Sequence, residues 1–379
     1  MNAQPPASAA GAIVLGGDLQ VSRLGFGAMR LTGKEIWGDP PDRTQAIAAV
    51  RRAVDLGVNL IDTADSYGPA VSENLIAEAL YPYPDDLVIA TKGGLVRPGP
   101  DRWERDGRPG YLRKACENSL KRLRLEQIPL YQLHKPDPKV PFGESVGALA
   151  ELQAQGKIRH IGISTVTEAQ LLEAQRAAPI ASVQNRYSAV DRSSQSVLDL
   201  CTALGLAFIA WAPVQQTGDN STVAAVADQR GVSHYQVALA WLLAMSAVML
   251  PIPGTASPAH VQDNVAAAAF ELTAEEIAAI TACVLRGWTF RFGHRATASV
   301  VADRPRLAGS GRWRPGHRGG AVPLAKHADQ VAERRDFGAR GPVSERVLGD
   351  APATGIPGRY RAARRTRTPR PGHRSCASP

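Results

Sequence analysis

Eight short apolar runs alternate with helix-length segments between residues 25 and 285, and this alternation limits the folds open to the chain. The runs lie at 25–28, 59–62, 87–91, 130–134, 158–164, 182–185, 207–211 and 248–252. Several, such as Leu87-Val88-Ile89-Ala90, are apolar without a break. A strand of that kind is buried on both faces, as in a parallel sheet covered by helices. Helical segments begin near Asp42, Ser72, Tyr111, Phe142, Thr167, Ser193, Thr222 and Pro258, with further helical stretches over 233–246 and 273–283. The run 14–21 has Gly16-Gly17-Asp18 at its centre and reads as a β-hairpin. Eight strand–helix units in a stretch of this length match an α/β fold of the (β/α)8 TIM-barrel type. The rival layout, an open doubly wound sheet, usually opens on a Gly-x-Gly-x-x-Gly turn. Here the segment is Leu24-Gly25-Phe26-Gly27-Ala28-Met29, without the third glycine.

Barrel enzymes carry their chemistry at the C-terminal ends of the strands. Asp62, Lys92 and His134 stand at or just past the ends of the second, third and fourth runs, and Tyr67 follows shortly after Asp62. An acid, a phenol, an ammonium and an imidazole gathered at one mouth form a proton-donating set. A phenol titrates near pH ~10 when unperturbed. A neighbouring ammonium favours the phenolate and lowers that value, which makes the phenol a usable general acid. Taken singly, each of these residues reads equally as a packing or solvated side chain.

The formal net charge of +9 conceals a division. Residues 286–379 hold 20 Lys+Arg against 6 Asp+Glu, which leaves 24 and 29 for residues 1–285. The back part is +14 and the front part −5. The last 94 residues contain only 13 Leu, Ile, Val or Phe, together with 13 Gly, 9 Pro and 19 Arg, too little apolar surface to build a core. The expected organisation is a flexible N-terminus over 1–12, the barrel with its N-terminal hairpin over 13–285, and a disordered basic tail over 286–379. The tail lacks the basic–aromatic interleaving of a binding module, so nucleic acid is not the expected partner. A shifted reading frame is an alternative origin for the tail.

Cys116, Cys201, Cys283 and Cys376 show no metal-ligand spacing, so no metal site is expected and the chain reads as a reduced, cytoplasmic protein. Between Arg230 and Asp263 there is no charged residue, but Pro251 and Pro253 interrupt the stretch and leave it too short for a bilayer. Met1 to Ala12 has neither a basic nor an apolar region of a secretory leader.

Six segments in order complete the picture. They are Asn59-Leu60-Ile61-Asp62-Thr63-Ala64-Asp65-Ser66-Tyr67-Gly68, Ala90-Thr91-Lys92-Gly93-Gly94, Leu133-His134-Lys135-Pro136-Asp137, Ile158-Arg159-His160-Ile161-Gly162-Ile163-Ser164, Val183-Gln184-Asn185-Arg186-Tyr187 and Ile252-Pro253-Gly254-Thr255. With them the chain from about residue 13 to 282 resembles the aldo-keto reductases. The resemblance implies a barrel, a nicotinamide cofactor and reduction of a small carbonyl substrate. It implies that Tyr67 is the general acid, that Lys92 lowers its pKa, that Asp62 holds Lys92, and that His134 positions the carbonyl oxygen.

It also implies that Ser164 and Gln184 hold the nicotinamide carboxamide, with Thr165 where relatives commonly have asparagine. Trp211 would stack on the ring. Gly254, Thr255, Ser257, His260 and Asn264 would serve the adenosine phosphate end. Many relatives have lysine at the Gly254 position and arginine at the His260 position to grip a 2′-phosphate, and both cations are missing here. NADPH is the expected cofactor, with NADH the alternative. Trp37 and Trp103 are expected to wall an apolar substrate pocket. Arg97, Arg102 and Arg105 around Trp103 read as a solvated loop or as a site for an anionic substrate. A regulatory subunit that senses nicotinamide without turnover is the alternative function, and the oligomeric state is left open.

Overall fold

The computed structural model describes the backbone of residues 6–290 and the side chains of residues 6–283. A hairpin of β1 (Ala12–Leu15) and β2 (Leu19–Ser22) comes first. Next come β3 (Phe26–Gly27), β4 (Leu60–Asp62) and β5 (Val88–Gly93). A second antiparallel hairpin follows, β6 (Leu95–Gly99) and β7 (Arg102–Arg105). The remaining strands are β8 (Ile128–Leu133), β9 (Ile158–Ser164), β10 (Ile180–Arg186), β11 (Ala207–Trp211) and β12 (Met249–Pro251). Eight of these form one parallel sheet in the order β12-β11-β10-β9-β8-β5-β4-β3. Gly25 N–H donates to Pro251 O at 3.1 Å and Gly27 N–H to Pro253 O at 3.0 Å, which joins the two ends of the sheet and closes the barrel.

The helices are α1 (Arg43–Asp55), α2 (Val71–Leu80), α3 (Pro109–Leu123), α4 (Phe142–Ala154), α5 (Glu168–Ala177), α6 (Gln195–Leu204), α7 (Ser221–Arg230), α8 (His234–Met245), α9 (Pro258–Ala266) and α10 (Ala274–Phe290). Side-chain caps set several of their starts. Asp42 accepts from Gln45 N–H, Asn220 from Val223 N–H and Ser257 from His260 N–H, while Thr167 and Gln170 form a reciprocal capping box.

Successive strand residues face opposite ways. Ile61, Ile89, Tyr131, Leu133, Val183 and Phe208 join the core between sheet and helices. Leu60, Val88, Ala90, Leu130, Ile209 and Leu250 fill the barrel interior together with Leu15 and Val21 of the first hairpin. That hairpin therefore stoppers one end of the barrel. Asp62, Lys92, Gln132 and Trp211 each lie two residues beyond an interior residue and so face inward at the other end.

Three sequence expectations change. Residues 7–12 are not a free segment: Ala7–Ala10 forms a 3-10 turn, Ala7 is buried, and its N–H donates to Leu56 O at 2.8 Å. The segment has no bulky or charged side chain to keep it in water, and Ala7 fits the outer core. The final helix runs on to Phe290, past the end expected at 283. The stretch 95–105, expected to be a solvated loop, is a paired hairpin. The tail expectation for 291–379 lies outside the described residues. Among the described residues no helix is long and apolar enough to cross a membrane, and no three His, Cys, Asp or Glu side chains cluster as metal ligands.

Candidate active site

The inward-facing strand ends carry a buried polar layer. Lys92 and Asp62 are an ion pair with side chains 0% and 2% exposed, so each must find its hydrogen bonds inside the protein. They do. Lys92 Nζ donates to Asp62 Oδ1, to Thr63 O at 2.9 Å and to Tyr67 Oη at 3.4 Å, which uses all three ammonium protons. Asp62 Oδ2 accepts from Gln132 Nε2 at 2.9 Å and Gln184 Nε2 at 2.8 Å. Gln132 has room because residue 162 on the next strand is glycine. A Cβ there would stand 2.7 Å from Gln132 Cγ and 2.6 Å from Ser182 Oγ.

The turn after β4 brings Tyr67 to this layer. Thr63 Oγ1 and Ser72 Oγ are 2.8 Å apart, and Ser72 Oγ donates to Ala28 O at 3.2 Å, tying the turn to α2 and to the end of β3. Gly68 follows at φ +90°, where a side chain would also strike Val71. His134 leaves β8 with its N–H donating to Gly93 O at 2.8 Å. Its ring meets Tyr67 edge-on, with centroids 5.7 Å apart, and its Nδ1 lies 3.3 Å from Ser66 Oγ.

Burial acts on every titrating group here, and charge decides where each one settles. Burial pulls the Lys92 pKa down, but the negative charge of Asp62 and the bonds to Asp62 and Tyr67 carry it above its ordinary value. Burial pushes Tyr67 above its ordinary value, and Lys92 offsets only part of that rise. The expected lowering of Tyr67 is thus corrected: the ammonium acts in the expected direction, but desolvation of the phenolate outweighs it. Burial, with the positive charges of Lys92 and Lys135, holds His134 well below the ordinary histidine value, so its imidazole is neutral.

A cavity of about 800 Å³ opens over this layer. It joins Tyr67 and His134 to Ser164, Thr165, Gln184 and Trp211, and continues to Gly254 and Thr255 ahead of α9 and to His260 and Asn264 on that helix. Trp103 lies on its wall, but Trp37 does not. Trp37 instead packs against Arg97, 5.5 Å from guanidinium to ring, and Arg97 stacks on Trp103 at 3.8 Å. Arg97 also donates to the carbonyls of Glu35, Ile36 and Arg102, so it clamps the second hairpin to the first barrel loop.

Ser257 is not among the lining residues. Its hydroxyl caps α9, and its N–H donates to Thr255 Oγ1 at 3.1 Å. Asn185 faces away from the cavity, bonded to both backbone groups of Val166. A Cβ at Gly254 would stand 2.5 Å from Gly27 O, so the backbone itself forms the cavity edge at the barrel seam. Sequence reasoning missed Gln132, Ser66, Lys135 and Tyr235. Gln132 alone left a signal, as the polar residue inside the apolar run Leu130–Leu133.

The pattern of the Aldo/keto reductase family matches residues 23–218 and 217–285. The chain belongs to this family. An uncharacterized oxidoreductase of Schizosaccharomyces pombe is 46% identical over 275 residues, which cover 72% of this chain and 89% of that protein. The pyridoxine 4-dehydrogenase of Escherichia coli is 41% identical over 272 residues, covering 70% and 95%. Among solved structures, an aldo/keto reductase from Klebsiella pneumoniae in complex with NADP and acetate superposes with a TM-score of 0.61 at 28% identity, over 71% of this chain and 93% of that one. The thermostable aldo-keto reductase Tm1743, in complex with the inhibitor epalrestat, gives 0.63 at 30% identity, over 72% and 99%. This aldo-keto reductase is accordingly an oxidoreductase built on a TIM barrel.

Proposed function

We propose that this aldo-keto reductase reduces aldehydes or ketones to alcohols with NADPH, and that Tyr67 supplies the proton. The observation that carries the reading is the Tyr67 hydroxyl, bonded to a fully saturated Lys92–Asp62 pair and open to the cavity. The cavity suits a dinucleotide. Trp211 offers a ring face beside the hydroxyls of Ser164 and Thr165 and the Gln184 amide. The bare backbone at Gly254 lets a phosphate approach the first turn of α9. When bound, the cofactor would supply hydride from C4 of its nicotinamide. Thr255, His260 and Asn264 would hold the adenosine end. With neither lysine at 254 nor arginine at 260, the grip on a 2′-phosphate is weak and NADH is the alternative. Bound NADP(H) in the Klebsiella pneumoniae structures favours NADPH.

The side chains divide the work. Neutral His134 donates a hydrogen bond to the carbonyl oxygen and fixes its position. Tyr67 sits above its ordinary pKa, so its proton is in place at neutral pH and moves only when the oxygen becomes strongly basic. Lys92 stabilises the phenolate left behind. Asp62 holds Lys92, and Gln132 and Gln184 hold Asp62. In reverse, the same groups oxidise an alcohol, the direction in the Escherichia coli relative's name.

The test is NADPH consumption with 4-nitrobenzaldehyde. Tyr67→Phe should lose about 10²–10⁴-fold in kcat, with NADPH affinity unchanged. A variant that keeps the wild-type rate would remove Tyr67 from the mechanism. A wild type that binds NADPH and reduces nothing would favour the sensing role.

A further inference from the structure

The outer wall of the cavity carries cations with no acid to answer them. Lys135, next to His134, is half-buried on the lining, and Arg105 at the end of β7 lines the same space opposite Leu95 in the hairpin register. Arg105 Nη1 reaches Pro136 O at 3.3 Å, which brings it beside the Lys135 segment. Arg30 is a third cation on the lining. The one carboxylate there is Asp62, already neutralised by Lys92.

The nearby acids are committed elsewhere. Asp106 holds Arg108, Glu104 holds Arg102, and Asp65 accepts from Tyr111 Oη. Asp137 accepts from the backbone N–H groups of Gly107 and Lys139. Among the described residues, neither Lys135 nor Arg105 forms an ion pair with a carboxylate. Burial and the charge of Arg105 pull Lys135 below the usual lysine pKa, as expected of a cation lacking a counterion. Arg97, held by three carbonyls and two tryptophans, is excluded from this role.

We propose that Lys135 and Arg105 select carbonyl substrates that carry an anionic group, a carboxylate or a phosphate, with Trp103 covering the apolar part between that group and the carbonyl. The inference rests on the carbonyl-reduction reading and names its substrate class. Like charges held together, half-buried Lys135 beside exposed Arg105, repel each other, and an anion relieves that repulsion while orienting the reacting carbon toward Tyr67.

The experiment pairs 4-carboxybenzaldehyde with its methyl ester, which differ in charge and share the reacting group. The full chain and the variants Lys135→Met, Arg105→Met and their double are compared. Wild type should favour the carboxylate by about tenfold or more in kcat/KM, each single variant should lower that acid-to-ester ratio, and the double variant should bring it to about one. NADPH affinity, titrated by protein fluorescence, should be unchanged in all four proteins. If it weakens instead, the cations serve the cofactor's phosphates and the proposal falls. Equal use of acid and ester by wild type would also overturn it while leaving carbonyl reduction standing. If neither aldehyde is reduced, the reduction reading fails, and equilibrium binding with NADPH present decides the charge question: equal affinity for acid and ester ends the proposal, and tighter binding of the acid upholds the anion site.

Discussion

The two ends of the barrel are made from the same strands and have opposite character. At one end Leu60, Leu130 and Leu250 pack against Leu15 and Val21 of the hairpin. At the other, two residues along the same strand faces, stand Asp62 and Gln132. The apolar end needs only volume. The polar end needs each donor matched to an acceptor, because the oily layer beneath it removes water and makes an unpaired charge costly. The polar layer is therefore desolvated by the core itself, and it depends on the glycine at 162 as well as on its charged side chains.

Lys92→Met should separate the ends most sharply. It strands Asp62 as a buried, unpaired charge, so the unfolding free energy should fall by ~3–5 kcal/mol and the reduction rate by about 10²–10⁴-fold. Denaturant unfolding and steady-state kinetics measure both. Replacing Asp62 with leucine in the same variant should recover much of the stability and none of the rate. Leu130→Ala, at the apolar end, should cost a comparable ~2–5 kcal/mol yet leave kcat within about threefold at a temperature where the variant is folded. A rate loss like that of Lys92→Met would show that the two ends are not separable.

Gly162→Ala is a smaller insult between the layers. The added methyl must displace Gln132, which should cost ~1–3 kcal/mol and lower kcat about tenfold by loosening Asp62. Unchanged kinetics would remove Gln132 from the positioning of Asp62.

A further difference concerns Asp65, whose Oδ1 is buried without a hydrogen-bond partner. Burial, with the charge of Glu73 second, pushes its carboxyl up to about 8. The fold therefore favours the neutral acid. The stability it contributes is complete below the unfolded value near ~4 and is lost as pH rises toward about 8. Asp65→Asn should accordingly gain in melting temperature over wild type by an amount that grows across that window and then levels off. A pH-independent difference would show that Asp65 ionises freely.

The strand ends, and with them the placing of Asp62, Lys92 and His134 at one mouth of the barrel, were legible from local sequence, whereas the roles given to these residues and to Tyr67 came from the family resemblance. Apolar runs mark buried parallel strands, and a polar residue at the end of such a run falls at the mouth. What stayed hidden depends on neighbours distant along the chain. Gln132 reaches Asp62 only through the β8–β9 packing that Gly162 permits. Trp37 leaves the pocket wall because Arg97 draws it into a stack. The second hairpin escaped notice because Pro98 and a row of arginines look like loop, although Arg97 spends its charge on carbonyls and aromatic faces. The pKa of Tyr67 rises because burial, which no spacing of residues reveals, outweighs the ammonium beside it.

The hairpin at the far end has a consequence for traffic. With Leu15 and Val21 seated in the barrel, whatever the cavity holds must come and go through one door. Ser164, Gln184 and Trp211 line the same cavity as Trp103 and His134, so two molecules bound against these two sets would share that side of the barrel.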